Sequence, residues 1–167
     1  GRLAAQALLE GHHRDIGVIE LDPNDGEAAP GRRVGCRTYL EQAGIPWSTV
    51  HVAVGHGTTR DGYAAASRLL TDHPWLTGLV CGNDLMAMGA YAAIREQGLR
   101  VRKDVAVIGI DDQELIADQV HPALTTVALP FEEMGQVAVS NLLALMEGEE
   151  VPAETLLPGT IIRRSSA

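Results

Sequence analysis

A few short stretches of this sequence combine hydrogen-bond acceptors, donors and a planar cation in a way that suits a small hydroxylated ligand. Asp111-Asp112 offers carboxylates, each able to accept two hydroxyl hydrogen bonds; Asn83, in Gly82-Asn83-Asp84, can both donate and accept. Arg32, in Arg32-Arg33, donates in a planar fork. Each has a plainer structural reading. Asn83 and Asp84 are the residue types that cap helices, and Asp111-Asp112 can open the helix that follows. Arg32 and Arg33 read as the start of a helix, where the helix dipole disfavours cations, and that conflict favours a functional arginine.

Enzyme templates are missing. Gly17 and Gly26 form no Gly-rich phosphate loop, and no Gly-Lys-Ser/Thr follows a strand. There is no Gly-x-Ser-x-Gly elbow. The reading is a protein without catalysis and without a cofactor. His12 and His13 splay from a helix, and His51 and His56 are spaced for opposite faces of a strand, so no metal site is expected. Cys36 and Cys81 lack metal-type spacing and exclude a disulfide framework, and Cys81 reads as a small buried hydrophobe.

The elements that must position these residues alternate. Leu3, Ala4, Ala7 and Leu8 keep helical spacing, with Gly11 as a left-handed stop. A strand over 16–21 leads through the turn Asp22-Pro23-Asn24-Asp25-Gly26 to a helix over 32–43, ended by Gly44. Then come a strand over 50–54, a helix over 60–70 capped by Thr59, a strand over 76–81, a helix running to Gln97, and the apolar strand 105–110. Strand and helix alternating at these lengths predict a doubly wound parallel sheet covered on both faces. In such a sheet ligands bind beyond the carboxyl ends of the strands, where Asp22 to Gly31, Gly55 to Thr59, Asn83 and Asp111 fall. After Pro122 the rhythm changes: 124–129 is extended, Phe131, Met134, Ala138, Leu142 and Leu145 mark an amphipathic helix, and 156–163 forms a last strand.

Composition bounds the function. The chain has 167 residues, with 13 Lys+Arg against 22 Asp+Glu, a formal net charge of −9 and 46% hydrophobic residues. It is globular, and it repels a phosphate backbone over most of its surface. No run reaches the ~20 apolar residues of a membrane helix. Gly1-Arg2-Leu3-Ala4-Ala5 reads as the interior of a domain, not a natural start. Residues 85–94 carry no charge, so the helix there must be covered on more than one side, by the sheet and by a close neighbour or a partner subunit.

A collinear series of motifs completes the reading: Gly11-His12, Arg32-Arg33-Val34-Gly35, Asp61-Gly62-Tyr63, Asn83-Asp84-Leu85-Met86-Ala87-Met88-Gly89-Ala90, Asp104 through Asp112, Pro122-Ala123-Leu124-Thr125-Thr126-Val127, Met134-Gly135 and Ile161-Ile162-Arg163-Arg164-Ser165. Together these resemble the effector-binding domain of the LacI/GalR (lac repressor) family of bacterial transcription regulators, over almost the whole chain. The resemblance implies a type I periplasmic-binding-protein-like α/β fold. Residues 1–123 correspond to its second subdomain, 124–154 to the segment returning to the first, and 155–167 to the final strand crossing back. It implies that a helix-turn-helix, a hinge and most of the first subdomain precede this chain.

It also implies that Arg32, Asn83 and Asp111 bind the hydroxyls of a small effector, most directly a sugar. It implies a cytoplasmic homodimer, with Tyr63, Met88, Tyr91 and Ile116 at the interface, and operator DNA bound only through the absent reader. One departure stands out: many sugar-binding members carry an aromatic ring where this chain has Gly57. A different class, a periplasmic sugar-binding protein of a transporter or chemoreceptor, shares the architecture. It would need an upstream signal peptide in place of the helix-turn-helix.

Overall fold

The computed structural model describes residues 1–24, 26 and 28–167; Asp25 of the first turn lies outside the described residues. In chain order the elements are α1 (Arg2–Glu10), β1 (Ile16–Leu21), α2 (Ala28–Gln42), a short 3-10 turn (Trp47–Thr49), β2 (His51–Gly55), α3 (Thr59–Asp72), β3 (Gly78–Cys81) and α4 (Asp84–Glu96). There follow β4 (Ala106–Asp111), α5 (Glu114–Ala117), β5 (Thr125–Ala128), α6 (Phe131–Met146) and β6 (Thr160–Ile162). The six strands form one sheet in the order β2-β1-β3-β4-β5-β6. All pairings are parallel except β5 with β6.

The alternation of side chains along the strands builds two cores. Ile19, Ala53, Leu79, Cys81 and Val107 face one way and pack with Leu69, Leu70, Met86 and Ile94 of α3 and α4. Ile16, Val18, Val80, Ile108 and Ile110 face the other way, against Leu8 of α1 and Cys36 and Leu40 of α2. Leu8, Leu79 and Ile108 are fully buried, each contributing roughly 1.5–3 kcal/mol by leaving water. The chain leaves β1 on one side to form β2, then returns to form β3 on the other. That reversal opens a crevice beyond the carboxyl ends of β1 and β3, the place where such sheets bind ligands.

Several local expectations shift. Gly11 is not left-handed (φ −76°); His12 takes that conformation (φ 64°), which lets the His13 N–H close the helix onto the Leu8 carbonyl at 3.1 Å. Helix α2 begins at Ala28, so Arg32 and Arg33 lie in its second turn, away from the unfavourable end of the dipole. The cap of α3 is Thr58, whose hydroxyl accepts from the Asp61 N–H at 3.2 Å. The last strand covers only Thr160–Ile162, since Pro158 has no N–H to lend a ladder.

Helix α4 is apolar all round, and the chain itself covers it except along the edge that carries Leu85, Met88 and Ala92. Added β-carbons at Gly62 of α3 and Gly89 of α4 would lie 2.2 Å from the Met86 carbonyl oxygen and 2.1 Å from that of Thr59, so the two helices cross in backbone contact. Helix α6 is the opposite case: none of its residues is buried, and Phe131, Met134, Val139, Leu142, Leu143, Leu145 and Met146 all stand exposed. An apolar stripe of that size on a surface marks a contact face.

Candidate functional site

Three elements converge at the crevice. Arg32 reaches from the second turn of α2 across the carboxyl ends of β3 and β4. Its guanidinium donates to the Gly82 carbonyl and, at 2.8 Å, to the Asp111 carboxylate. Both side chains are largely sheltered, 19% and 14% exposed. Burial pushes the Asp111 carboxyl above its ordinary range, and the Arg32 charge works against that shift. A carboxylate kept ionised at some cost gains from every further hydrogen-bond donor, which is what a polyol supplies.

Asp111 and Asp112 hold positive φ angles of 119° and 55°. Such backbone is sparsely populated for a residue with a β-carbon and persists only where its surroundings hold it. The dipeptide does not open α5 with a side-chain cap; Gln113 occupies the N-cap position and caps nothing. Its stiffness comes instead from long-range contacts.

Asn83 sits beside the Gly82 carbonyl that Arg32 grips. Its Oδ1 accepts from the Met86 N–H at 2.8 Å, capping α4, and its Nδ2 donates to the Gly57 carbonyl at 2.9 Å. Asn83 therefore pins the loop after β2 to the head of α4, and one amide N–H and one carbonyl lone pair remain beyond these two bonds. Arg33 is committed elsewhere, with its Nε 3.4 Å from the buried Glu20 carboxylate. Burial raises the Glu20 carboxyl, and Arg33 opposes the rise.

Two residues of this neighbourhood were not legible as functional in the sequence. Asp84, the first residue of α4, is fully buried; it accepts from the Thr126 hydroxyl at 2.6 Å and the Gln113 N–H at 2.8 Å. It passes over β4 only because residue 109 is glycine: a β-carbon there would lie 2.1 Å from Asp84 Oδ1. An acid following an Asn cap, with a glycine in the next strand, is the signal that could have pointed to it. Arg164 is the second, with its guanidinium against Asp112 and Asp118.

The four residues expected at a subunit interface are split. Tyr63 (37% exposed) and the half-buried Met88 face outward. Tyr91 and Ile116 are inside this chain, with the Tyr91 hydroxyl donating to the Pro122 carbonyl at 2.9 Å. Ala92 and Leu115 are exposed between them. Among the described residues no group of three or more His, Cys, Asp and Glu side chains is arranged to hold a metal ion. His51 instead stacks on His73 with ring centroids 3.5 Å apart. A cavity lined by Arg95, Leu99, Val101 and Pro122 lies before β4, at the end of that strand remote from Asp111.

With this geometry in place, comparison with known proteins is specific. Residues 5–167 match the periplasmic binding protein-like domain family. The chain belongs to that family, and within it to the effector-binding domains of LacI/GalR regulators. The HTH-type transcriptional repressor PurR of Yersinia pestis bv. Antiqua is 39% identical over 171 residues, a match covering 100% of this chain and 49% of that protein. The transcriptional regulator CelR in complex with cellobiose superposes with a TM-score of 0.93 at 34% identity, over 99% of this chain and 50% of CelR. A dimeric lac repressor with a C-terminal deletion gives 0.90 at 31%, over 99% and 59%. The chain spans about half the length of the curated relatives it matches.

The buried Asp84 makes stability depend on pH. Burial, with Asp111 and Asp112 nearby, lifts its carboxyl to about 6, against ~3.9 in an unfolded chain. The native state then holds the extra proton between these values. The Asp84 contribution is fully present below about pH 4 and is lost as pH rises through 6. In urea unfolding, the stability of the wild type relative to Asp84→Asn should therefore fall between pH 4 and 7, by on the order of 2 kcal/mol. A difference that stays constant across that range would show that Asp84 titrates normally.

Proposed function

We propose that this chain is the ligand-sensing part of a LacI-type transcriptional repressor, acting in the cytoplasm on a small polyhydroxylated effector, most directly a sugar. The observation that carries the reading is the Arg32–Asp111 pair anchored on the Gly82 carbonyl at the sheet's switch point. Asp111 accepts from ligand hydroxyls, Arg32 donates its free N–H groups, and Asn83 supplies one of each kind. A site of such groups rejects ligands lacking the matching hydroxyls, because its own polar atoms would be left unpaired. The likeness to a regulator complexed with cellobiose supports a saccharide. Relatives that are repressors favour this reading over a periplasmic transport protein.

In this reading residues 1–123 are the second subdomain, 124–154 return to a first subdomain, and 155–167 cross back. The uncovered stripe of α6 supports that division, since it is patterned for a surface this chain does not supply. The effector would bind between subdomains and favour one closure, shifting the equilibrium of helix-turn-helix heads on operator DNA. Those heads would carry the DNA contact, in keeping with the net charge of −9 here.

Two measurements test this. Added to the labelled chain, cellobiose or a panel of mono- and disaccharides should shift the amide signals of Arg32, Asn83 and Asp111 saturably. Asp111→Ala should weaken that binding by about tenfold or more, the loss expected for hydrogen bonds to a charged group. If no saccharide perturbs these residues, or if Asp111→Ala binds equally well, the site is not a sugar site.

The second concerns assembly. The dimeric lac repressor supports a homodimer, and Tyr63, Met88, Ala92 and Leu115 offer the outward face, with Tyr91 and Ile116 packed beneath it. Sedimentation should find a dimer at tens of micromolar, roughly the range of a modest interface. Met88→Glu should give a folded monomer, as a charge is stranded in an apolar contact. A wild-type monomer, or a dimer indifferent to Met88→Glu, would remove this face from the account.

A further inference from the structure

The Asp111-Asp112 backbone is the most strained part of the site, and something distant must hold it. Among the described residues, Asp112 has one cation within ion-pair distance, Arg164, whose Nη1 lies 2.8 Å from Oδ1. That oxygen is buried, and Arg164 supplies the positive charge that faces it. Arg164 is itself sheltered, 16% exposed. Its guanidinium also meets Asp118, just past α5, with Nε 2.5 Å from Oδ1, and donates to the Leu124 carbonyl at 3.0 Å. Its backbone N–H donates to the Thr125 hydroxyl at 3.0 Å.

The residues around it make this a fixed post. Two positions on, the fully buried Ser166 accepts from the Thr125 N–H at 2.8 Å and donates to the Val107 carbonyl at 2.6 Å. The tail after β6 is thereby stitched into the sheet between β4 and β5. Arg164 stands on that stitched segment and reaches back over the carboxyl end of β4. A planar fork addressing two carboxylates and a carbonyl at once is a task an ammonium group cannot copy.

We infer that Arg164 is a positioning residue for the ligand site: by neutralising Asp112 it holds the Asp111-Asp112 backbone left-handed and so keeps the Asp111 carboxylate against Arg32. The inference rests on the reading of Arg32 and Asp111 as the ligand clasp, but the geometry it predicts is measurable with no ligand present. Without Arg164, Asp112 keeps a half-buried charge with no cation beside it and the dipeptide relaxes toward ordinary backbone. Asp118 loses the same anchor, which ties the site to the α5 segment near Leu115.

The test follows the Arg32 guanidinium by NMR in the 167-residue chain. In the wild type, Arg32 should give separately resolved, slowly rotating Nη–H signals, as expected for a guanidinium held by Asp111 and the Gly82 carbonyl. Arg164→Gln should collapse them to an averaged set, and Arg164→Lys, which keeps the charge without the fork, should restore them only in part. Ser166→Ala provides the structural control. It should lower the unfolding midpoint, through the loss of two buried hydrogen bonds, while leaving the Arg32 signals resolved. Resolved Arg32 signals in a folded Arg164→Gln chain would overturn the inference, as would their loss in Ser166→Ala to the same degree. If Arg164→Gln releases Arg32 yet no saccharide binds the wild type, the positioning role stands and the sugar reading falls.

Discussion

The ion pair between Arg32 and Asp111 is the constraint around which this chain is arranged. It joins a helix on one face of the sheet to the end of a strand near its middle, across the crevice where strand order reverses. For the pair to form, Asp111 must leave β4 with a backbone conformation unfavourable to any residue bearing a β-carbon. The surroundings supply the restraint: Arg164 on Asp112, Asp84 on the Gln113 N–H, and the Thr126 hydroxyl accepting, at the long distance of 3.4 Å, from the Asp112 N–H. A binding group held in place before the ligand arrives loses less entropy on binding.

The supporting contacts tie that site to the rest of the fold. Asp84 links the head of α4 to β5 and to the loop before α5, and Asn83 links the same helix head to the loop at Gly57. The outward edge of α4 and the exposed Leu115 of α5 belong to the proposed dimer face. Side chains that could feel a ligand and side chains that could meet a partner thus lie within about a turn of each other on the same elements, Asp84 four residues before Met88 and Gln113 two before Leu115.

Much of this was legible in the sequence, for local reasons. Apolar runs bounded by Gly, Pro and Asp marked β1 to β4 and the helices between them, and the strand-end rule placed Asn83 and Asp111 in a crevice. The resemblance to LacI-type regulators singled out Arg32 from its neighbour Arg33, which the structure commits to Glu20. What stayed hidden depends on distant partners. Asp84 looked like an alternative cap because its real partners, Thr126 and Gln113, lie far along the chain. Residues 85–94 left open whether a close neighbour or a partner subunit covers the helix, because the backbone contact at Gly62 and Gly89, which lets α3 cover much of α4, leaves no periodic trace. Arg164 appeared only as part of a closing motif, with nothing nearby to pair it with Asp112.

If the fold holds Asp111 in a costly conformation to present its carboxylate, that cost is measurable. Urea unfolding of Asp111→Gly against Asp111→Ala measures it, since both remove the carboxylate and differ in backbone freedom, which sets their tolerance of a φ near 119°. At an ordinary position Gly is the less stable choice by roughly 0.5–1 kcal/mol. At position 111 the reverse is expected, with Asp111→Gly more stable than Asp111→Ala by about 1–2 kcal/mol. Equal stabilities, or a more stable Asp111→Ala, would mean that Asp111 carries no such strain.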